Sequence, residues 1–147
     1  MRKVRESTSA ILLSVDGRLL LQQRDDIPNI PDPGKISLFG GGREEGESFL
    51  GCIVREIGYY VPADSFKLIA RYVGPHYSVQ NTDIWAELFV ARGIPIESPV
   101  IAKGTLLVVA LHEIDKIRDR IPAPVQCLLK LSQALRQLMP TAQRTAL

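Results

Sequence analysis

The stretch from Gly40 to Gly58 constrains the fold of this 147-residue chain more than any other. It opens with three consecutive glycines, which predict a loop that needs positive φ. Ser48 is a favourable N-cap for a helix over residues 49–57, and Gly58 is placed to end that helix. Apolar residues recur on one face of the helix, which is typical of packing on a sheet: Leu50, Ile53, Val54 and Ile57.

The rest of the chain predicts strands and a second main helix. Residues 7–14 and 18–24 predict a β-hairpin around Asp16-Gly17, a pair that suits positive φ in a tight turn. Residues 25–35 hold three prolines and a glycine and predict a loop. Further strands are expected at 36–39, 66–73, 83–92 and 106–111, a short helix at 113–118 and a terminal helix at 124–138. Strands mixed with two main helices predict a two- or three-layer α/β sandwich.

Length and composition favour one domain over residues 1–147, with loose tails at 1–6 and 140–147. The net charge is only +2 and the basic residues are scattered, which argues against a nucleic-acid partner. No apolar run reaches 18 residues, so no membrane span is expected. Cys52 and Cys127 lie in apolar patterns and are interpreted as two buried free thiols. A reducing, cytoplasmic location follows from that interpretation.

Residues 40–57 resemble the first part of the Nudix box, the sequence motif of the Nudix hydrolase family. Five residues separate Gly41 from Glu47, and seven more separate Glu47 from the sequence Arg55-Glu56-Ile57. The Gly-Gly pair before the loop and the sequence Gly46-Glu47-Ser48 at the helix start also match the family pattern. The flanking hairpin, proline loop and terminal helix extend the resemblance over most of the chain.

The second half of the box departs from the family pattern, and two alignments are open. Without a gap, the expected Glu-Glu pair falls on Tyr59 and Tyr60. With four residues deleted after Ile57, Gly58 and Tyr59 become the last two positions of the box. Four residues make about one helical turn, so the deletion changes the helix phase by only about 40°. Either alignment leaves two expected carboxylates missing.

The resemblance implies a Nudix-type α/β/α sandwich with a mixed sheet. It also implies cleavage of nucleoside diphosphates linked to another group by metal-assisted attack of water, with Mg²⁺ or Mn²⁺ as cofactor. Glu56 would be a metal ligand or general base, and the Gly41 carbonyl would reach the metal. Glu47 and Arg55 would form an orienting ion pair. Arg24, which leaves the second strand towards the presumed cleft, is a candidate for binding substrate phosphate.

Several of these residues have ordinary structural interpretations that stay open. Glu56 can be an exposed helix carboxylate, and Arg24 an ordinary surface arginine. Three aromatic residues can stack on a base or pack on the sheet: Tyr72, Tyr77 and Trp85. The two histidines, His76 and His112, have no partner pattern and are not predicted to be catalytic.

The missing carboxylates predict weak or lost activity, because hard cations need several oxygen ligands. Tyrosine is neutral at pH 7 and a poor ligand for Mg²⁺. Many family members place another acidic residue in a later loop, where this chain has Lys103-Gly104.

The partner predicted by resemblance is a nucleotide or nucleotide-linked small molecule. One alternative is a non-catalytic binder of nucleotides or phosphate metabolites. The other is an interaction domain whose Tyr59-Tyr60-Val61 patch and terminal helix pack against a partner or, as a homodimer, a second copy.

Overall fold

The computed structural model of the protein describes residues 2–29, 33–57, 61–76, 79–96, 105–122, 125–126 and 129–130. Seven strands form one sheet: β1 (Lys3–Ser14), β2 (Leu19–Gln23), β3 (Ile36–Ser37), β4 (Phe39–Gly42), β5 (Lys67–Pro75), β6 (Thr82–Ile94) and β7 (Thr105–Val109). The main path through the sheet is β3-β2-β1-β6-β5, while β4 pairs with β1 and β7 with β2. The helix α1 spans Phe49–Ile57.

The β1–β2 hairpin forms as the sequence predicted. Leu12 pairs with Leu20 across the antiparallel ladder. Gly17 adopts a φ of 83°, a conformation that glycine tolerates better than other residues.

The N-terminal end of β1 corrects the expectation of a loose tail at residues 1–6. Lys3 already pairs with Thr82, because β1 runs parallel to β6 along almost its whole length.

The glycine stretch is a strand rather than the loop that the sequence suggested, although Gly40 within it adopts a positive φ of 157°. Residues 39–42 form β4, in which Gly41 pairs with Thr8 of β1. A Cβ atom built on Gly40 would lie 2.0 Å from the carbonyl oxygen of Thr8. Position 40 therefore requires glycine, because β1 passes so close to it. The strand predicted at residues 36–39 continues in the structure as far as Gly42.

Two hydrophobic clusters cover the two faces of the sheet. Side chains of β1 and β2 alternate between them, because successive residues of a strand point to opposite faces. The cluster beneath α1 contains Ala10, Leu12, Leu20, Ile53, Ile57 and Phe89. The cluster on the other face contains Ile11, Leu13, Leu19, Leu21, Leu88, Val90, Ile121 and Leu129.

Helical segments cover the second cluster and complete the third layer. A 3-10 helix spans Leu111–Arg120 at the place where the sequence predicted a short helix. Residues 125–126 and 129–130 are helical, and Leu129 is buried against the sheet. The fold is therefore a mixed α/β sandwich, as predicted. None of the helices in the described ranges is long and apolar enough to cross a membrane.

Some sequence predictions fall outside the described residues. They concern Cys127, Tyr77, most of the terminal helix, the tail at 140–147 and the Lys103-Gly104 position. The Gly58-Tyr59-Tyr60 segment, at which the two alignments of the box differ, also lies outside.

Candidate active site

The start of α1 is held by the residue that the sequence singled out as its N-cap. The Ser48 Oγ accepts a hydrogen bond from the backbone N–H of Gly51 at 2.9 Å. Cys52 and Ile53 are completely buried on the sheet side of the helix. With these two residues facing the sheet, Glu56 on the next turn comes to lie against β4.

The carboxylate of Glu56 lies directly against Gly41. A Cβ atom built on Gly41 would approach the Glu56 Cδ and Oε1 atoms to 2.4 Å. The side chain of Glu56 keeps 28% of its surface exposed, so the carboxylate remains accessible to solvent. The structure thus brings together the two residues that the sequence proposed as metal ligands, although it does not test that role.

The guanidinium of Arg55 joins Glu56 to the loop before the helix. Its Nη2 and Nε atoms donate to the two carboxylate oxygens of Glu47 at 2.8 and 3.1 Å. Its Nη1 donates to Glu56 Oε1 at 3.0 Å, and Nη2 also donates to the carbonyl of Gly42 at 2.9 Å. Two-pronged contacts of this kind are the strongest ion-pair geometry available to arginine. Arg55 therefore links helix, loop and strand.

Glu47 is held in its ionised form by these contacts. The hydrogen bonds from Arg55, followed by the backbone N–H of Glu44 at 2.7 Å, lower the pKa of Glu47 to about 2. The same pairing raises the pKa of Arg55. Both groups are therefore charged at every pH at which the protein would normally be studied.

Arg43 fixes the loop from its other side, a role that the sequence did not reveal. It forms an ion pair with Glu6 of β1 and donates from Nη1 to the carbonyl of Glu47 at 2.7 Å. Its guanidinium carbon also lies 5.5 Å from the centre of the Phe49 ring, within cation–π range. Since Glu6 and Arg43 are far apart in sequence, local periodicity carries no signal for this pair.

Cys52 fills the space beneath this network as a buried free thiol, as predicted for it. The hydroxyl of Thr8 donates to its Sγ at 3.2 Å, and the thiol lies 3.4 Å from the carbonyl oxygen of Gly42. Burial raises the pKa of the Cys52 thiol. The group is therefore neutral and acts as a packing residue between α1, β1 and β4.

The donor set around Glu56 does not fit a hard dication. Ca²⁺ and Mg²⁺ take six or more oxygen ligands, usually with several carboxylates or bound phosphates. Within the described ranges, no group of three or more His, Cys, Asp or Glu side chains is placed to hold a metal ion. Glu47, another acidic residue of the motif, is already paired with Arg55. The two predicted ligands, the Glu56 carboxylate and the Gly41 carbonyl, are fewer than such an ion needs.

The sequence profile of the NUDIX domain matches residues 3–81, which include strands β1 to β5 and the helix α1. The chain belongs to the Nudix family. No curated protein sequence matches it.

Solved structures share the Nudix fold with this chain. The MutT protein of Methanosarcina mazei Go1 is similar with a TM-score of 0.70 and 18% identity, over 88% of this chain and 92% of that chain. The ORF135 protein of E. coli is similar with a TM-score of 0.65 and 22% identity, over 95% and 96% of the two chains.

A larger protein contains a related domain. It is a bifunctional NMN adenylyltransferase/ADP ribose pyrophosphatase from Francisella tularensis, solved in complex with AMP and a Mn ion. Its TM-score is 0.68 and its identity 16%, over 91% of this chain. This chain spans 42% of the length of the Francisella protein. At such identities the similarity establishes the fold.

The remaining candidates from the sequence are two aromatic residues and Arg24. The Trp85 ring packs edge-to-face on Phe49, with 6.2 Å between the ring centres. The Tyr72 hydroxyl donates to the carbonyl of Pro75 at 3.0 Å. Both aromatic residues thus make packing or backbone contacts within this Nudix fold. Arg24 lies just beyond β2, and its buried Nε atom has no hydrogen-bond partner in the described part of the chain.

Glu87 is a buried acidic residue that the sequence patterns did not single out. It is 7% exposed in the middle of β6, beside Thr8 in the parallel ladder with β1. Arg71 of β5 donates to its Oε1 from Nη2 at 2.6 Å. The available signal was a lone glutamate inside an apolar strand sequence, directly before four residues that the structure buries. Its pairing with Arg71 makes it a structural ion pair at the side of the Nudix helix.

A cavity of about 200 Å³ lies in the opposite layer of the sandwich. It is lined by the 3-10 helix and the terminal helix, including His112, Asp115, Arg118 and Lys130. Because the apolar residues around it belong to the cluster on the other face of the sheet, it is separate from Glu56.

Proposed function

We propose that this Nudix domain derives from an enzyme site for nucleoside diphosphates linked to another group, and that it hydrolyses them weakly or not at all. The fold and the first half of the motif support the enzymatic origin. The single carboxylate that Glu56 offers beside Gly41 supports the loss of activity and is the observation that carries this proposal. A metal-assisted attack by water needs neutralisation of several phosphate oxygens, and one carboxylate supplies too little charge for that.

The position of Arg55 strengthens the argument. Its guanidinium lies between Glu56 and Glu47 and balances part of their charge. A cation approaching Glu56 would have to compete with a guanidinium that donates five hydrogen bonds within the site. The arrangement therefore favours a structural ion-pair network over a metal centre.

Turnover measurements test this proposal. The protein would be incubated with a panel of nucleoside triphosphates and nucleoside-diphosphate-linked compounds, first with Mg²⁺ and then with Mn²⁺. We expect release of phosphate or nucleoside monophosphate to stay within about tenfold of the rate without protein, because the described ligand set is incomplete. The variant Glu56→Gln should give the same residual rate as the parent.

Glu45→Gln is the matched control, because Glu45 is an exposed glutamate of the loop that precedes α1. Metal-dependent turnover that is lost in Glu56→Gln but kept in Glu45→Gln would overturn the proposed loss of activity. That outcome would mean that ligands outside the described residues complete the site.

A second candidate function is the binding of a nucleotide or phosphate metabolite without hydrolysis. The specific observation in its favour is that two buried atoms, Nε of Arg24 and Oγ of Ser37, have no hydrogen-bond partner among the described residues.

A further inference from the structure

The cavity of about 200 Å³ between the 3-10 helix and the terminal helix is large for a domain of this size. Protein interiors are close-packed, and voids larger than a water molecule are few. An apolar cavity of roughly 150 Å³ is already large enough to hold a benzene ring. The present cavity therefore has room for a ring of that size together with a small polar group.

The floor of the cavity is apolar. Ile121 and Leu129 line it and are only 3% and 5% exposed, so they lie at its inner end. Both belong to the hydrophobic cluster on the face of the sheet away from α1. A ligand that reached this floor would have to present an apolar surface to it, because a polar group there would lose water without gaining a hydrogen-bond partner.

One wall of the cavity is polar because of the period of the 3-10 helix. Residues three positions apart lie one above another in such a helix. The first row packs on the hydrophobic cluster: Leu111, Ile114 and Ile117. The next row is exposed and lines the cavity: His112, Asp115 and Arg118. The polar wall thus stands beside the apolar floor, at the side where the cavity meets solvent.

Gln126 holds the 3-10 helix and the terminal helix together at this place. Its Nε2 atom donates to the carbonyl of Ile121 at 2.8 Å and to the carbonyl of Arg118 at 3.1 Å. Its backbone N–H donates to the carbonyl of Pro122 at 3.0 Å. The walls are therefore fixed before a ligand arrives, which lowers the entropy cost of binding.

The mouth of the cavity carries a net positive charge. Arg118 forms an exposed ion pair with Asp115 of its own row, so these two charges largely cancel. Lys130 also lines the cavity, is exposed, and forms no ion pair with any residue that the structure describes. Its ammonium group is a compact charge with three hydrogen-bond donors. One uncompensated positive charge at the mouth matches a ligand with one negative charge.

We propose that this cavity binds a small organic carboxylate. The apolar body of the ligand, about the size of a benzene ring, would lie on the floor formed by Ile121 and Leu129. The carboxylate would meet Lys130 at the mouth. The site goes beyond the hydrolytic proposal, because it lies on the other face of the sheet from α1 and needs neither Glu56 nor a metal ion.

Titration of the full chain with benzoate, at constant pH and ionic strength, tests the site. The imidazole signals are followed by NMR, and the substitution His76→Gln assigns them, because the chain contains only two histidines. We expect a saturable shift of the His112 signal with a Kd of about 1 mM, since so small a ligand gains little binding energy. The His76 signal of the parent should stay in place.

Three further probes separate the contributions of the apolar body and the charge. Acetate has the carboxylate without the ring and should bind at least about tenfold more weakly than benzoate, because the apolar burial is lost. Benzyl alcohol has the ring without the charge and should bind about threefold more weakly, the usual effect of losing one exposed charge contact. Benzylammonium reverses the charge and should bind more weakly still.

Two substitutions at the mouth should change benzoate binding in opposite directions. Lys130→Met should weaken it about threefold and leave the binding of benzyl alcohol unchanged. Asp115→Asn should strengthen it by about the same factor, because a repelling carboxylate is removed and Arg118 is released. Both side chains are exposed, so neither substitution should prevent folding.

Lys116→Met is the matched control, because Lys116 is an exposed lysine of the same 3-10 helix in the row that does not line the cavity. It should bind benzoate as the parent does. The proposal is overturned if Lys130→Met binds benzoate as tightly as Lys116→Met, or if Asp115→Asn binds it more weakly than the parent.

The ligand series decides the question in the parent protein alone, even if a variant fails to fold. No saturable shift of the His112 signal with benzoate would overturn the proposal. Binding of acetate or benzyl alcohol as tight as that of benzoate would also overturn it, since the site requires both the apolar body and the charge. Turnover with Mg²⁺ or Mn²⁺ has no part in this test.

Discussion

Gly40 and Gly41 are neighbours in β4, yet they are glycines for different reasons. A methyl group at position 40 would meet a backbone carbonyl of β1 at 2.0 Å, and that strand cannot move without breaking the sheet. A methyl group at position 41 would meet only the end of the Glu56 side chain, which can rotate away. Glycine at position 40 is therefore required by the fold. Glycine at position 41 instead leaves room for the carboxylate of Glu56.

We predict that Gly40→Ala lowers the free energy of unfolding by about 3 kcal/mol, because the overpacked strand pair must separate. Gly41→Ala should cost less than about 1 kcal/mol, since only a flexible side chain is displaced. Urea denaturation of both variants beside the parent measures the difference. Equal losses of stability in the two variants would contradict the close approach of β1 to Gly40.

At the residue scale, the resemblance to the Nudix box implied the contact between Glu47 and Arg55, which lie close together in the motif. Glu47 and Arg55 are brought together because one helix and its preceding loop fix their separation. The contacts of Arg43 with Glu6 and of Arg71 with Glu87 were not predicted, since each joins two strands or a loop and a strand. Their partners depend on sheet register, which a single sequence does not specify.

The loop from residue 43 to Ser48 and the first turns of α1 form one electrostatically coupled element. Glu47 is its centre, because it pairs with Arg55 and accepts the backbone N–H of Glu44. Its pKa of about 2 lies below the ordinary value of 4.5, so folding favours the ionised form. Such a group contributes stability above the unfolded pKa and loses that contribution as the pH falls through the folded value.

We predict that the stability difference between the parent and Glu47→Gln is largest near neutral pH. It should shrink between about pH 4.5 and pH 2, because the parent glutamate is then protonated and resembles the glutamine. Thermal unfolding of both proteins across this range gives the measurement. Glu45→Gln, in the same loop, should follow the parent at every pH. A difference for Glu47→Gln that stays constant with pH would show that ionisation of Glu47 does not stabilise the element.

At the element scale, the sequence predicted α1 at its observed bounds because several local signals agreed. The Ser48 cap, the apolar face and the glycine after Ile57 all indicate the same helix. The glycine strand was misread because glycine is depleted in strands, and no local signal reveals that another strand passes within contact distance. The strand follows from tertiary structure rather than from the intrinsic preference of its residues.

The whole molecule is one sheet with a separate hydrophobic cluster on each face. The sequence predicted the α/β class because strands and helices were both evident. It did not predict that β1 runs parallel to β6, since that pairing joins residues some eighty positions apart and leaves no local pattern. Adjacent residues of β2 divide between the clusters, with Leu20 facing α1 and Leu21 facing the other layer. Because the same strands carry both hydrophobic clusters, loss of packing in one cluster should also destabilise the other.

This coupling gives a test of the single-domain prediction. Leu20 and Leu21 are both completely buried, so Leu20→Ala and Leu21→Ala should each cost about 2–5 kcal/mol. Trp85 is the only tryptophan and lies on the α1 face, where its ring contacts Phe49. If the domain unfolds as one unit, Leu21→Ala should shift the fluorescence transition of Trp85 as far as the transition in far-UV circular dichroism.

Leu68→Ala serves as the control, because this leucine is 49% exposed and its replacement should cost less than about 1 kcal/mol. The decisive variant is Leu21→Ala, whose substitution lies in the layer that Trp85 does not contact. The two faces would unfold separately if the midpoint of the fluorescence transition stayed at the urea concentration of the parent while the midpoint of the circular dichroism transition moved. Coincident transitions in both buried variants are expected, since removing methylene groups from either cluster weakens the one sheet on which both clusters are built.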